Sequence, residues 1–201
     1  MPKVKPLDNE ANTTYEPLLD PESSMMFFLA EPAISTISFF NGGVDMDQSR
    51  KWLKERLTVI CAANPWLAGR LTKVKKVHKN LLLAMPTSVS EEDVEALIGH
   101  DADGALSALS SRTKYEVLCN ALLKSKMLVG PGYKLVGKDL RCSKFSLVKM
   151  AQGQVALIVS ITHAIADGKQ ILCVAHLIVC TLTIHSVYLM TALKDTPTIT
   201  S

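Results

Sequence analysis

SITHAIADGKQ, residues 160–170, overlaps the end of an apolar run, VALIVSIT, residues 155–162. The run is apolar at both odd and even positions, as in a central strand covered on both faces. FSLVKM, residues 145–150, precedes it, and Gln152-Gly153 marks a turn between them, so the two segments predict a hairpin. A residue just past a central strand is held by a rigid scaffold yet can reach substrate, which is where α/β folds place their chemistry. His163 stands there. A neutral imidazole near pH 7 can take a proton from a hydroxyl or thiol. Asp167, one tight turn later, can fix the loop by bonding to backbone or to an arginine. Gly168 would allow a positive φ or a close approach to another backbone. The plainer alternative is a structural histidine that closes a turn.

Upstream, residues 1–24 are polar and contain Pro2, Pro6, Pro17 and Pro21, and they read as an extended arm. MMFFLA (25–30) and AISTISFF (33–40) read as strands, the second stopped by Asn41-Gly42-Gly43. A helix follows from Asp45 or Asp47. Either Asp can cap it, and Leu53, Leu57 and Ile60 form one apolar stripe. Pro65 ends it. NPWLAGRL (64–71) comes next. RLTKVKKVHKN and LLLAMP read as two strands around a turn near Lys79-Asn80, with Lys73, Lys75, Lys76 and Lys79 on a wet face or a phosphate-binding patch. Ser90 and Asp93 resemble a capping box. TKYEVLCNALLKSKM predicts a helix with Tyr115, Leu118 and Leu122 near one face, broken by the GPG at 130–132.

The composition suits a globular domain with a real core: 201 residues, 48% hydrophobic and 20% charged. A net charge of +3 argues for no nucleic-acid partner. Its distribution is uneven, near −6 over residues 1–48 and +9 over 49–201, and a basic body suits an anionic substrate as well as a solvated surface. Cys61, Cys119, Cys142, Cys173 and Cys180 show no metal spacing and fit a reducing compartment. No metal site is expected, since His176 and His185 lack partners at ligand spacing. The N-terminus has no apolar signal region, so the expectation is a cytoplasmic body that is not secreted.

THAIADG resembles the HxxxDG motif of CoA-dependent acyltransferases of the chloramphenicol acetyltransferase-like superfamily. These include the plant BAHD acyltransferases, the condensation domains of peptide synthetases and the wax-ester synthases. NPWLAGRL, after a helix, looks like the Pro-x-Leu-x-Gly-Arg-Leu run in the N-terminal half of the larger members. The resemblance covers about residues 25–170. It implies transfer of an acyl group from acyl-CoA, as co-substrate and not as a permanently bound cofactor, to a small hydroxyl or amine acceptor. His163 would be the general base, Asp167 structural, and Gly168 would leave room for the substrate tunnel. Two departures stand out. Thr162 precedes His163 where many members have a second histidine, and nothing like the DFGWG motif of the second half occurs. Chloramphenicol acetyltransferase itself is a short chain whose trimer completes each site, and a trimer is the expectation if the chain is active. The rival expectation is a catalytically inactive, truncated half-domain acting as a membrane-anchored or partner-binding module.

ILCVAHLIVCTLTIHSVYLMTAL, residues 171–193, carries no charged residue, and its apolar residues do not keep to one face. As a helix it would span about 35 Å, enough for a bilayer core. A tail anchor in an intracellular membrane, a helix or strand pair buried in a compact domain or oligomer, and a tail unrelated to the family are all open. The chain thus divides into a polar arm (1–24), an acyltransferase-like half-domain (25–170), a hydrophobic C-terminal helix (171–193) and a short tail (194–201). The expected fold class is α/β (α+β), one mixed sheet with flanking helices.

Overall fold

The structure is a computed structural model and describes residues 12–18, 29–41, 45–73, 81–100, 104, 106–179 and 191–192. Its elements run β1 (Thr13–Pro17), β2 (Ile34–Phe40), α1 (Met46–Ala63), a 3₁₀ turn (Pro65–Ala68), β3 (Arg70–Lys73), β4 (Leu81–Pro86), α2 (Glu91–Glu95), β5 (Ile98–Gly99), α3 (Tyr115–Lys124), α4 (Gly132–Leu135), β6 (Ser143–Lys149), β7 (Val155–Ile161), α5 (Gly168–Val179) and β8 (Thr191–Ala192). The class is mixed α/β, but the strands form two sheets where one was expected. One has the order β5-β6-β7-β2-β8, the other β1-β4-β3.

β7 lies between β6 and β2, antiparallel to both, and all seven of its residues are buried. Its alternate side chains point to opposite faces, and both faces are covered. Val155, Leu157, Val159 and Ile161 join Leu53, Leu57 and Ile60 of α1 and Ile171, Val174 and Ile178 of α5. Ala156 and Ile158 join Leu118 and Leu122 of α3 on the other side. Apolar residues on both faces were therefore needed, and this three-layer core fixes where β7 ends and the histidine loop begins.

α1 starts where Asp45 accepts from the backbone N–H of Asp47 and Gln48. The Ser90–Asp93 capping box forms. In α3, Leu118 and Leu122 are buried as predicted, but Tyr115 is exposed. Of MMFFLA, only Leu29 and Ala30 are described, and they are helical, not strand. Leu29 sits in a second core with Leu71, Leu81, Leu83 and Met85, so its burial is met by the smaller sheet without pairing. Part of the polar arm, Thr13–Pro17, pairs with β4. Lys75, Lys76, Lys79 and the turn near Asn80 lie outside the described residues.

The apolar C-terminal stretch begins as an amphipathic helix. Ile171, Val174, Ala175, Ile178 and Val179 are buried on one face of α5, while Leu172 and Leu177 are exposed on the other. Two further residues, Thr191 and Ala192, pair with β2, so the described part of 171–193 is not one continuous helix. Among the described residues, no helix is long and apolar enough to cross a membrane. Residues 180–190 and 193–201 lie outside the description.

Candidate active site

β7 ends at Ile161, opposite Ser143 of β6 and Ile34 of β2. Thr162 donates its backbone N–H to the Cys142 carbonyl, and Ile165 donates back to the Thr162 carbonyl at 3.2 Å, which closes a turn around His163. Ala164 packs into the core under the smaller sheet and Ala166 into the main core. The loop is thus pinned on both sides, with the imidazole between the pins and 20% exposed.

The His163 ring meets Glu31 through Nδ1 and the Glu31 Oε2. Glu31 lies just after the helical residues Leu29 and Ala30, 132 positions away in sequence, and its side chain is one-third exposed. No local pattern in AEPAIS signals this contact, so sequence reading missed it. Chemically, a carboxylate on Nδ1 holds the imidazole in one orientation and stabilises the imidazolium that forms when the ring takes a proton.

Asp167 bonds to backbone, one of the two partners considered for it. Its Oδ1 accepts the Gln170 N–H at 2.8 Å, Gln170 Oε1 accepts the Asp167 N–H at 2.9 Å, and Ile171 donates to the Asp167 carbonyl. This is a capping box at the start of α5. Gly168 has no positive φ and is the first helical residue, so the backbone freedom expected of it is not used. A Cβ built there meets no described atom within 4 Å. Among the described residues the space beside it is open.

A glycine with no room for a side chain lies beside the pair: Gly132, in the GPG stretch read only as a helix breaker. A Cβ there would lie 2.7 Å from Leu29 Cδ2, 3.2 Å from Leu29 Cα and 3.3 Å from Ala164 Cβ. Leu29 leads to Glu31, and Ala164 follows His163, so Gly132 sets how closely the two halves of the pair approach. Gly132→Ala is expected to cost about 1–3 kcal/mol by overpacking, measured by urea unfolding. Gly130→Ala, whose Cβ would meet nothing closer than Lys134 Cβ at 4.0 Å, is the control. Equal stability of the two variants would refute the close-packing account.

NPWLAGRL forms a latch between the sheets. Pro65 opens the 3₁₀ turn, the Gly69 carbonyl accepts from the Cys142 N–H at 3.1 Å, and the Ala68 carbonyl accepts from Arg141. Arg141 also meets Asp93 of α2. Among the described residues no group of three or more His, Cys, Asp or Glu side chains is placed to hold a metal.

No protein-family model matches the chain, and no curated protein sequence does. Solved structures do resemble it. The crystal structure of holo T3CT superposes with a TM-score of 0.52 at 14% identity, covering 86% of this chain and 36% of that one. Apo TRI101 from F. graminearum superposes at 0.50 and 14% identity, covering 83% and 38%. The same F. graminearum protein complexed with ethyl coenzyme A gives 0.49 at 12% identity, covering 82% and 38%. The likeness is one of fold. The chain spans little more than a third of the length of these proteins.

Proposed function

We propose that this chain carries the general base of an acyl transfer from an acyl-coenzyme A thioester to the hydroxyl or amine of a small acceptor. The observation that carries the reading is the Glu31–His163 pair on a pinned loop at the end of the central strand. Support comes also from the fold shared with TRI101, a protein crystallised with ethyl coenzyme A and with coenzyme A plus T-2 mycotoxin. The HxxxDG spacing of His163, Asp167 and Gly168 adds to it.

A thioester is already activated, so the chain must supply a base and an oriented acceptor more than a covalent nucleophile. With Nδ1–H donated to Glu31, the imidazole lone pair lies on Nε2. The acceptor's O–H or N–H proton passes to Nε2 as its heteroatom forms a bond to the thioester carbonyl carbon. The carbon–sulfur bond then breaks, and the imidazolium returns the proton to the departing thiolate. Asp167 holds the start of α5, and the open side of Gly168 leaves room for a ligand beside the loop.

The test is thiol release by the full chain supplied with short acyl-CoA thioesters and a panel of alcohols and amines. Acceptor-dependent release is expected, and its absence across the panel sinks the reading. Glu31→Gln keeps the size of the side chain but removes the charge that steadies the imidazolium. It is expected to lower kcat by about tenfold to a hundredfold, less than the whole contribution of a base, with KM for the thioester little changed. A variant with unchanged kcat would remove Glu31 from the mechanism.

A further inference from the structure

A second feature does not depend on the acyl-transfer reading. Residues 126–144 carry four lysines and Arg141 against one acid, Asp139. Asp139 is taken by Arg70, and Arg141 by Asp93. Among the described residues no carboxylate pairs with Lys126, Lys134, Lys138 or Lys144. Their contacts draw them onto one surface. Lys144 Nζ donates to the Lys126 carbonyl at 2.8 Å. Lys144, Gly130 and Leu140 line one concavity. A Cβ at Gly130 would lie 4.0 Å from Lys134 Cβ, and Lys134 Nζ lies 5.8 Å from the centre of the Tyr133 ring. Lys138 stands in the turn that leads from α4 to Leu140, closed by its N–H on the Leu135 carbonyl.

The apolar members of this surface narrow the kind of partner. Tyr133 is 57% exposed and Leu140 is 48% exposed, while Gly132 and Leu135 supply the buried side of α4. A phosphate backbone gains nothing from an exposed leucine, and nucleic-acid recognition favours free guanidinium forks. Both arginines nearby, Arg70 and Arg141, are already committed to carboxylates. Protein interfaces are depleted in lysine. Lysines interleaved with a tyrosine and a leucine match the boundary of a bilayer instead. There an aromatic ring sits at headgroup level, and compact ammonium charges are drawn to acidic lipids without a fixed geometry. The stacked pair of Lys134 and Tyr133 presents a charge and a ring together, as such a boundary requires.

We infer that this surface docks on the anionic leaflet of a lipid bilayer, with Tyr133 and Leu140 entering the headgroup layer and Lys126, Lys134, Lys138 and Lys144 facing the acidic headgroups. This is peripheral docking of a folded surface and needs no spanning helix. Each lysine held near an anionic leaflet strengthens binding about fivefold at physiological ionic strength. Two apolar side chains alone would bind weakly and reversibly, so the charges and the apolar tips are both required. The attraction falls off within a Debye length, so added salt should release the chain.

The experiment is co-sedimentation of the full chain with vesicles of phosphatidylcholine alone, or of phosphatidylcholine and phosphatidylserine at about 3:1. Binding to the mixed vesicles only, weakened by salt, is expected. The double variant Lys134→Gln, Lys138→Gln should weaken it about 25-fold, fivefold for each lysine. Tyr133→Ser keeps every charge and should weaken it severalfold. The control is Lys51→Gln, Lys169→Gln, which removes the same charge from α1 and α5. Those helices cover the face of the sheet opposite Lys144, which pairs with Ser160, and the control should bind as the parent does. All five substituted side chains are exposed, and circular dichroism establishes that each variant is folded. No binding to the mixed vesicles, or equal losses in the control and the patch variant, would overturn the assignment. So would binding that ignores Tyr133→Ser, or equal retention of the chain by duplex DNA or polyglutamate, since charge alone would then explain it.

Discussion

Replacing His163 with alanine is expected to reduce acceptor-dependent thiol release by two to four orders of magnitude, the usual contribution of a positioned base. The fold should survive. His163 is 20% exposed and stands between the two core anchors of its loop, Ala164 and Ala166, so its removal opens no cavity in either core. Glu31 loses its ring partner but is one-third exposed to water, and the stability change should stay within about 1 kcal/mol. Parallel measurement of turnover and of urea unfolding separates the two effects. A variant that turns over as fast as the parent chain would reduce His163 to a turn-closing residue. A variant that unfolds would assign the Glu31 contact to structure. The companion Glu31→Gln change should fall between parent and His163→Ala in kcat, because it leaves the base in place and loosens only its hold.

Much of what positions this site is written locally. The run at 155–161 is apolar at every position but Ser160 because both faces of β7 are covered, and the α1 stripe of Leu53, Leu57 and Ile60 is the face that covers one of them. What escaped the sequence is long-range or masked by composition. Glu31 and His163 are 132 residues apart, and nothing in either neighbourhood encodes the approach that Gly132 permits. Asp93 reads correctly as a cap, but its second partner, Arg141, is 48 positions away. The face of α5 is invisible because Leu172 and Leu177 on the exposed side are as apolar as Ile171 and Ile178 on the buried side. MMFFLA has strand composition, yet its described end is helical, since burial in the second core places no demand on backbone pairing.

Arg141→Leu is expected to destabilise the fold strongly, costing about 3 kcal/mol at pH 7. The Arg141 and Asp93 side chains are 9% and 17% exposed, and removing one member of such a pair leaves a buried charge without its partner. The cost should lie at the lower end for broken buried pairs, because Asp93 keeps its two bonds from the Ser90 N–H and hydroxyl, both at 2.9 Å. The variant also cuts the tie to the Ala68 carbonyl, so α2 and the latch of residues 64–71 come loose from each other.

The pH dependence follows from Asp93. Burial pushes its carboxyl up, but the bonds from Ser90 and the charge of Arg141 outweigh this and hold it below the ordinary carboxylate range. A carboxylate so depressed stabilises the fold above its unfolded pKa, about 4, and loses that contribution as pH falls through the folded value. In Arg141→Leu one of the downward influences is gone while burial remains, so Asp93 protonates earlier and its burden lifts. The gap between parent and variant should therefore be widest near pH 7 and narrow below about pH 4. The double variant Asp93→Leu, Arg141→Leu should recover most of the loss at pH 7, since two apolar side chains leave no unpaired charge. Denaturant unfolding of the four chains of this cycle at both pH values provides the test. A gap that stays constant with pH, or additive losses in the double variant, would show that the pair is not what locks the latch to α2.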